Sequence, residues 1–298
     1  MNHKTAIALG FFDGVHLGHR SILRECVRLA RELGAKPVAV TFDKQPRAFL
    51  NHVRPNLILT REDRERAILD EGIEEVVMLP FDYALASMKP ETFVRDLLAG
   101  QYHCAAVVCG YNYSFGAMGK GNGALLRAME EPLGFRTSVI EPVLYEDTAV
   151  SSTWIRRLIA DGDVRLAGTL LGRPWTIGGV VSHGRGVGTG LGFPTGNLAL
   201  DPDLVTPRYG VYAARMTLDG KPYACALNVG VRPTFGLTEP VAEFNVLGFS
   251  GDLYGRTVRL ELLDFLREER IFDSPDSLSR QIGEDIARIG EIVNGPAQ

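Results

Sequence analysis

The sequence predicts two folds in one chain: an α/β unit on a parallel sheet over residues 1–172, and an antiparallel β-barrel with one closing helix over residues 173–298. Three observations carry that expectation. Short apolar runs alternate with amphipathic stretches through the first half, the pattern of strands buried on both faces by helices. The first run passes through a glycine-punctuated turn into a helical period, at Gly10-Phe11-Phe12-Asp13-Gly14-Val15-His16-Leu17-Gly18-His19. From Trp175 onward the runs are strand-like and joined by hairpin signals.

In the first unit, Thr5 to Leu9 is the expected first strand and Arg20 to Leu33 the first helix. Pro37 to Phe42 is a second β-rich run. Thr60-Arg61-Glu62-Asp63 starts a helix to about Asp70, with Thr60 as cap and an acidic first turn. Val76 to Leu79 follows as a strand. Lys89-Pro90-Glu91 opens a helix ending at Gly100, with proline in its first turn. Ala105 to Cys109 and Thr137 to Glu141 are the remaining strands, separated by a helix over Gly123 to Met129. Helices from Ser151 and over Val164 to Leu171 end the unit.

The second unit reads as strands at Thr176 to Val181, Gly210 to Leu218, Tyr223 to Val229, Ala242 to Leu247 and Val258 to Phe265. Leu218-Asp219-Gly220-Lys221 is a hairpin turn. The closing helix runs from Pro275 to Val293, capped by Ser274, with Leu278, Ile282, Ile286, Ile289 and Val293 on one face.

Composition narrows the function. A chain of 298 residues, 45% apolar and 23% charged, suits two ordinary globular domains. No apolar run approaches the ~18 residues of a bilayer span, so no membrane partner is expected. Met1-Asn2-His3-Lys4-Thr5 leads into a strand rather than forming a signal peptide. A net charge of −4 with the signs well mixed argues against a nucleic-acid partner. Cys26, Cys104, Cys109 and Cys225 show no CxxC pairing and are expected as reduced, buried thiols of a cytoplasmic protein. A monomer or weak homo-oligomer is the expected state.

Ligands of a parallel sheet bind at the carboxyl ends of its strands, where the Gly10–His19 stretch lies. A helix N-terminus there offers unpaired N–H groups and a positive dipole end to a phosphate. His16 and His19 add donors, so the stretch is either a nucleotide site without a Walker lysine or a tight turn with two solvated histidines. Gly116-Ala117-Met118-Gly119-Lys120 lacks the hydroxyl residue of a P-loop, and no GxGxxG is present. In the loop after the fourth strand, Asn112 suits an adenine, ribose or flavin edge. Tyr113 and Phe115 suit ring stacking or core packing. The glycine-dense run Gly184 to Asn197 suits a phosphate-wrapping flap or a merely flexible loop.

At these residues the chain resembles a known family. Gly10–His19 is similar to the HxGH signature of nucleotidylyltransferases, in the GxFDGVHxGH form of bacterial bifunctional riboflavin kinase/FAD synthetases. Further pieces resemble that family in order: Thr41 to Arg47, with Lys44 and Gln45 departing from TF(D/E)PHPR; Gly110 to Gly116, with Ser114 where many relatives have Arg; and Ser151 to Arg156, like SSTxIR. In the second half, Gly184 to Asn197 resembles GxxxGxxxGFPT(A/G)N, with Gly190 where many relatives carry a basic residue. Asn228 to Phe235, Val241 to Asn245, Asp252 to Gly255 and Phe265 to Phe272 are also family-like, with Asn245 where relatives often have His.

The resemblance implies a Rossmann-like nucleotidyltransferase domain that joins FMN and ATP into FAD and pyrophosphate. It implies a riboflavin-kinase barrel that turns riboflavin and ATP into FMN and ADP, with Mg²⁺ as cofactor. By resemblance, Gly10, Phe11, Phe12, Asp13, Gly14, His16, His19, Asn112, Ser151, Ser152, Thr153 and Arg156 hold the first ATP, and His16, His19 and Arg156 stabilise its developing charge. Gly184, Gly186, Gly192, Pro194, Thr195 and Asn197 hold the second ATP, with Thr195 and Asn197 on Mg²⁺. Glu243 is the implied general base, although without its motif it would read as a solvent-facing strand residue. Asn228, Arg232, Phe235, Arg267 and Glu269 are the implied flavin contacts. Two rival readings are a kinase-only chain and a flavin-binding regulator without turnover.

Overall fold

The computed structural model describes residues 3–183, 195–234 and 237–295, with the backbone alone at 232–234, 237–239 and 275. The chain divides into two compact units, Met1–Ser152 and Thr153–Gln298.

In the first unit, β1 (Thr5–Leu9) is buried along its whole length, as a strand covered on both faces must be. It pairs in parallel with β2 (Lys36–Phe42), which pairs with β3 (Glu75–Leu79). On its other side β1 pairs with β4 (Cys104–Gly110), which pairs with β5 (Arg136–Ile140). The sheet order β3-β2-β1-β4-β5 therefore reverses at β1, creating a switch point at the carboxyl ends of β1 and β4. Helix α1 (Leu17–Leu33) buries Ile22, Leu23, Cys26, Leu29 and Ala30 and stops at left-handed Gly34.

The short α2 (Pro46–Asn51) follows β2, and α3 (Arg61–Leu69) starts where Thr60 accepts from the Asp63 amide, as expected. After α4 (Tyr83–Ser87), the helix opened by proline is α-helical only as α5 (Pro90–Thr92). It then widens to a π-helix over Phe93–Gln101, a change of bonding that residue periodicity does not signal. Phe93, Val94 and Leu98 of that segment pack with Ile7, Leu9 and Val107. Helices α6 (Gly123–Ala128) and α7 (Glu130–Leu133) lead to β5, and β6 (Leu144–Tyr145) and β7 (Thr148–Ala149) form a small hairpin.

Helix α8 (Ser152–Asp161) and helix α9 (Val164–Leu171) come next, and α9 packs on the first and last strands of the second sheet. That sheet is antiparallel: β8 (Trp175–Val180), β9 (Ser182–His183), β10 (Gly196–Ala199), β11 (Gly210–Leu218), β12 (Lys221–Thr234), β13 (Leu237–Val246) and β14 (Thr257–Arg267) stand in the order β8-β14-β11-β12-β13-β10-β9. It curls into a half-barrel, bringing Gly179 of β8 against Leu198 and Ala199 of β10. Trp175, Tyr212, Leu227, Phe244 and Leu260 fill its core. The β11–β12 turn is the expected Asp-Gly pair, both at positive φ. Helix α10 (Pro275–Asn294) is capped by Ser274, which Ser277 reciprocates, and lies on β11, β12 and β14.

Candidate active sites

The turn between β1 and α1 is held in a conformation that costs free energy. Phe12 and Val15 sit at φ of 57° and 43°, and Gly14 at 85°; for a β-branched residue such as Val15 this is a rare backbone state. Such states persist only where the surroundings over-determine them. The Phe12 ring is fully buried, and a side chain at Gly10 would meet it at 2.7 Å, so only glycine fits there. Asp13 is also buried. Its Oδ1 accepts from the amides of Ile58 and Leu59 at 2.9 and 3.4 Å, and its carbonyl accepts from the Ser152 hydroxyl at 2.9 Å. Phe12 and Asp13 thus build the turn from beneath.

The turn delivers His16 as the N-cap of α1, whose first residue Leu17 lies three ahead of the Arg20 start expected from apolar periodicity alone. His16 Nδ1 accepts from the His19 amide at 3.4 Å. The two imidazoles stack with centroids 3.7 Å apart, and the Phe12 ring meets His19 edge-on at 5.3 Å. Nδ1 of His19 is buried with no hydrogen-bond partner among the described residues. Burial, and then the neighbouring His16, hold the His19 imidazole well below its usual value. A neutral His19 imidazole at a helix N-terminus can donate to an anion without itself requiring a counter-charge.

Arg64, which no motif singled out, underlies the same turn. It is 2% exposed, donates from Nη1 to the Phe11 carbonyl at 3.3 Å and from Nη2 to the Phe42 carbonyl at 2.7 Å, and lies over the Phe11 ring at 4.2 Å. Thr41 Oγ1 donates to the same Phe11 carbonyl at 3.1 Å. Asn112 stands exposed on the loop after β4, while Phe115 is buried against Phe93 and Tyr113, so core packing accounts for its ring. Ser151 and Ser152 are half-buried at the start of α8; Thr153 is exposed, and Arg156 Nη2 lies 3.4 Å from Thr153 Oγ1.

In the second unit, strand register gathers three expected residues that lie far apart in sequence. Asn197 of β10 stands opposite Glu243 of β13, and Glu243 stands opposite Asn228 of β12. Facing residues share a side of the sheet. Leu198, Ala242, Phe244, Leu227 and Val229 fill the alternate, buried positions, so the polar row lies on the face away from the core. The Thr195 hydroxyl donates to Glu243 Oε1 at 2.6 Å, and the Ser182 hydroxyl to the Asn197 carbonyl at 3.3 Å. Tyr254 donates to the Thr195 carbonyl at 3.3 Å and stacks on His183 with centroids 3.5 Å apart. His183 carried no sequence signal.

At the far end of the row, Asn228 Nδ2 donates to Glu269 Oε1 at 2.7 Å, leaving Asn228 Oδ1 buried without a partner among the described residues. Arg267 is turned to α10, where Asp285 accepts from its Nε and Nη2 at 3.1 and 2.8 Å. Arg232 is described here through its backbone alone, opposite Glu239. Gly184, Gly186, Gly192, Pro194 and Phe235 lie outside the described residues. The hydroxyl of Thr195, the amide of Asn197 and the carboxylate of Glu243 supply hard oxygen donors on one face, a donor set that fits Mg²⁺ shared with phosphate oxygens.

A histidine pair at a helix N-terminus in one unit and a row of hard oxygen donors in the other are features of a nucleotide-handling transferase. Comparison with known proteins sharpens this. Residues 1–154 match the family model for FAD synthetase, and residues 171–293 match that for riboflavin kinase. The bifunctional riboflavin kinase/FMN adenylyltransferase of Bacillus subtilis is 32% identical over 95% of this chain and 90% of its own length. The same-named protein of Haemophilus influenzae is 33% identical over 94% and 92%. The chain belongs to the bifunctional riboflavin kinase/FMN adenylyltransferase family. A solved structure described as a macrolide-efflux protein from Streptococcus pneumoniae has the same fold, with a TM-score of 0.90 at 32% identity over 99% of this chain and 95% of that one. Among the described residues here, no helix is long and apolar enough to cross a membrane.

Proposed function

We propose that the chain makes FMN and then FAD, its second unit acting before its first. In the second unit, Glu243 accepts the proton of the riboflavin 5′-hydroxyl as that oxygen attacks the γ-phosphorus of ATP, and ADP leaves. Thr195 and Asn197 hold Mg²⁺, which offsets the phosphate charge when bound. Asn228, Glu269, Arg232 and Phe235 orient the flavin, and Arg267 ties the end of β14, just before Glu269, to Asp285 of α10. The family resemblance gives Gly184, Gly186, Gly192 and Pro194 to the same ATP.

In the first unit, an FMN phosphate oxygen attacks the α-phosphorus of a second ATP, and pyrophosphate leaves. No covalent enzyme intermediate is needed, so catalysis is positioning plus stabilisation of spreading charge. His16 and His19 donate from the helix N-terminus. The Ser151 and Ser152 hydroxyls add phosphate contacts, and Asn112 holds a base or ribose edge; for Thr153 and Arg156 the family resemblance alone implies a phosphate role. The backbone of Gly10, Phe11 and Gly14 lets the nucleotide approach, while Phe12 and Asp13 support the turn. The four cysteines are free and buried, which suits a reducing cytoplasm. A monomer or weak homo-oligomer suffices, since each site is drawn from one chain.

The observation that carries this reading is the Asn197–Glu243–Asn228 row with Thr195 bound to Glu243, alongside the stacked histidine pair of the other unit. Incubating the protein with riboflavin, Mg²⁺ and ATP and resolving the flavins over time tests it. FMN should rise first and FAD after it. Absence of FMN would overturn the reading, and absence of pyrophosphate from FMN plus ATP would leave the kinase-only version.

A further inference from the structure

Buried cations usually face carboxylates. Arg64 does not: its hydrogen bonds go to two backbone carbonyls and the Met78 thioether, and Asp13 and Asp43 act on it only across space. Its Nε is buried with no hydrogen-bond partner among the described residues. Desolvating a guanidinium for so few bonds is costly, so the position of the two carbonyls is what the arrangement secures. Those carbonyls belong to Phe11 and Phe42, the points where β1 and β2 release their loops at the ligand-binding edge. One loop holds the left-handed Phe12 and Val15 and ends in His16; the other begins at Asp43, whose carboxylate accepts from the Phe81 amide at 2.7 Å. A planar fork fixes two acceptors at once, which a flexible ammonium does not.

We infer that Arg64 is a positioning residue for adenylyl transfer: by clamping the Phe11 and Phe42 carbonyls it holds the strained turn that seats the His16–His19 pair and sets that turn against the loop leaving β2. The inference rests on the role given above to the two histidines. Thr41, whose hydroxyl shares the Phe11 carbonyl, is the auxiliary part of the same clamp.

The test uses the full chain with Arg64→Lys and Thr41→Val. FAD formation from FMN and ATP should lose about ten- to a hundredfold in kcat in Arg64→Lys and several-fold in Thr41→Val. Riboflavin phosphorylation by the same samples, the control for intact protein, should be unchanged. In protein carrying labelled histidine, the His16 and His19 imidazole resonances should move in both variants. A purely structural role would lower the unfolding temperature while leaving kcat and those resonances in place at 25 °C, and that result overturns the inference. Should Arg64→Lys fail to fold, Thr41→Val decides on the same two readouts. His19→Ala, measured alongside, separates the two claims. Retained FAD formation there sinks the site reading, whereas its loss with wild-type kcat in Arg64→Lys sinks this inference alone.

Discussion

The Thr195 hydroxyl donates to Glu243 Oε1 across 2.6 Å, tying the residue that enters β10 to the middle of β13. A charge-assisted bond this short orients the carboxylate and occupies one of its acceptor sites. The carboxylate that we assign to proton removal is therefore already fixed in direction before any substrate is present.

Glu243→Gln keeps the shape and the hydrogen bond but removes the base. Riboflavin phosphorylation should fall by roughly 10²–10⁴ in kcat, while FAD formation from supplied FMN stays at the wild-type rate. Equal loss of both activities, measured by separate FMN and FAD assays, would contradict two independent sites.

His19→Ala should have the opposite signature. Removing one well-aimed donor to developing charge costs about 10²–10³ in kcat, so pyrophosphate release from FMN plus ATP should drop by that factor. Phosphorylation of riboflavin should be spared, since the residue lies in the first unit.

The depressed His19 value also makes stability depend on pH. The folded state favours the neutral ring, so below the unfolded value of 6.5 the unfolded chain binds more protons than the folded one. The stabilisation is present above 6.5 and is lost as pH falls toward the folded value, at up to about 1.4 kcal/mol per pH unit. Denaturation of the first unit followed between pH 7.5 and 5 should show this slope, and His19→Gln should flatten it.

Arg267 and Asp285 join β14 to α10 with side chains only 21% and 10% exposed. Gln281 adds a donor to the same carboxylate at 2.9 Å. Asp285→Ala leaves a largely covered guanidinium without its partner, which should destabilise the second unit by about 2–4 kcal/mol after allowance for partial solvation. Loss of kinase activity during graded heating should occur at lower temperature than in wild type, with the loss of FAD synthesis unshifted.

Much of the local structure was legible beforehand. Val164–Leu171 and Gly210–Leu218 coincide with the expected helix and strand, because their apolar periods are bounded by a clear cap or turn. Thr60 and Ser274 cap their helices as expected. The strands Ser182–His183 and Gly196–Ala199 were not anticipated: two and four residues are too few for alternation to register. Apolar periodicity started α1 at Arg20 because His16, its real cap, is not among the usual capping residues.

The candidate residues were also marked in the sequence, through spaced motifs in a consistent order, but their contacts were not. Arg64 sits in the run Arg61-Glu62-Asp63-Arg64-Glu65-Arg66, which looks solvated along its length, and only packing under Phe11 removes one of those charges from water. Arg267 is an implied flavin contact in the sequence, and only the fold sets Asp285, eighteen positions on, beside it. Caps, turns and periodicity act over a few residues, so the chain itself determined what kind its longer elements are and where the clearly capped ones begin. Which strands lie side by side, which charge is buried, and which hydroxyl meets which carboxylate depend on contacts between distant segments, and only the tertiary structure decided those.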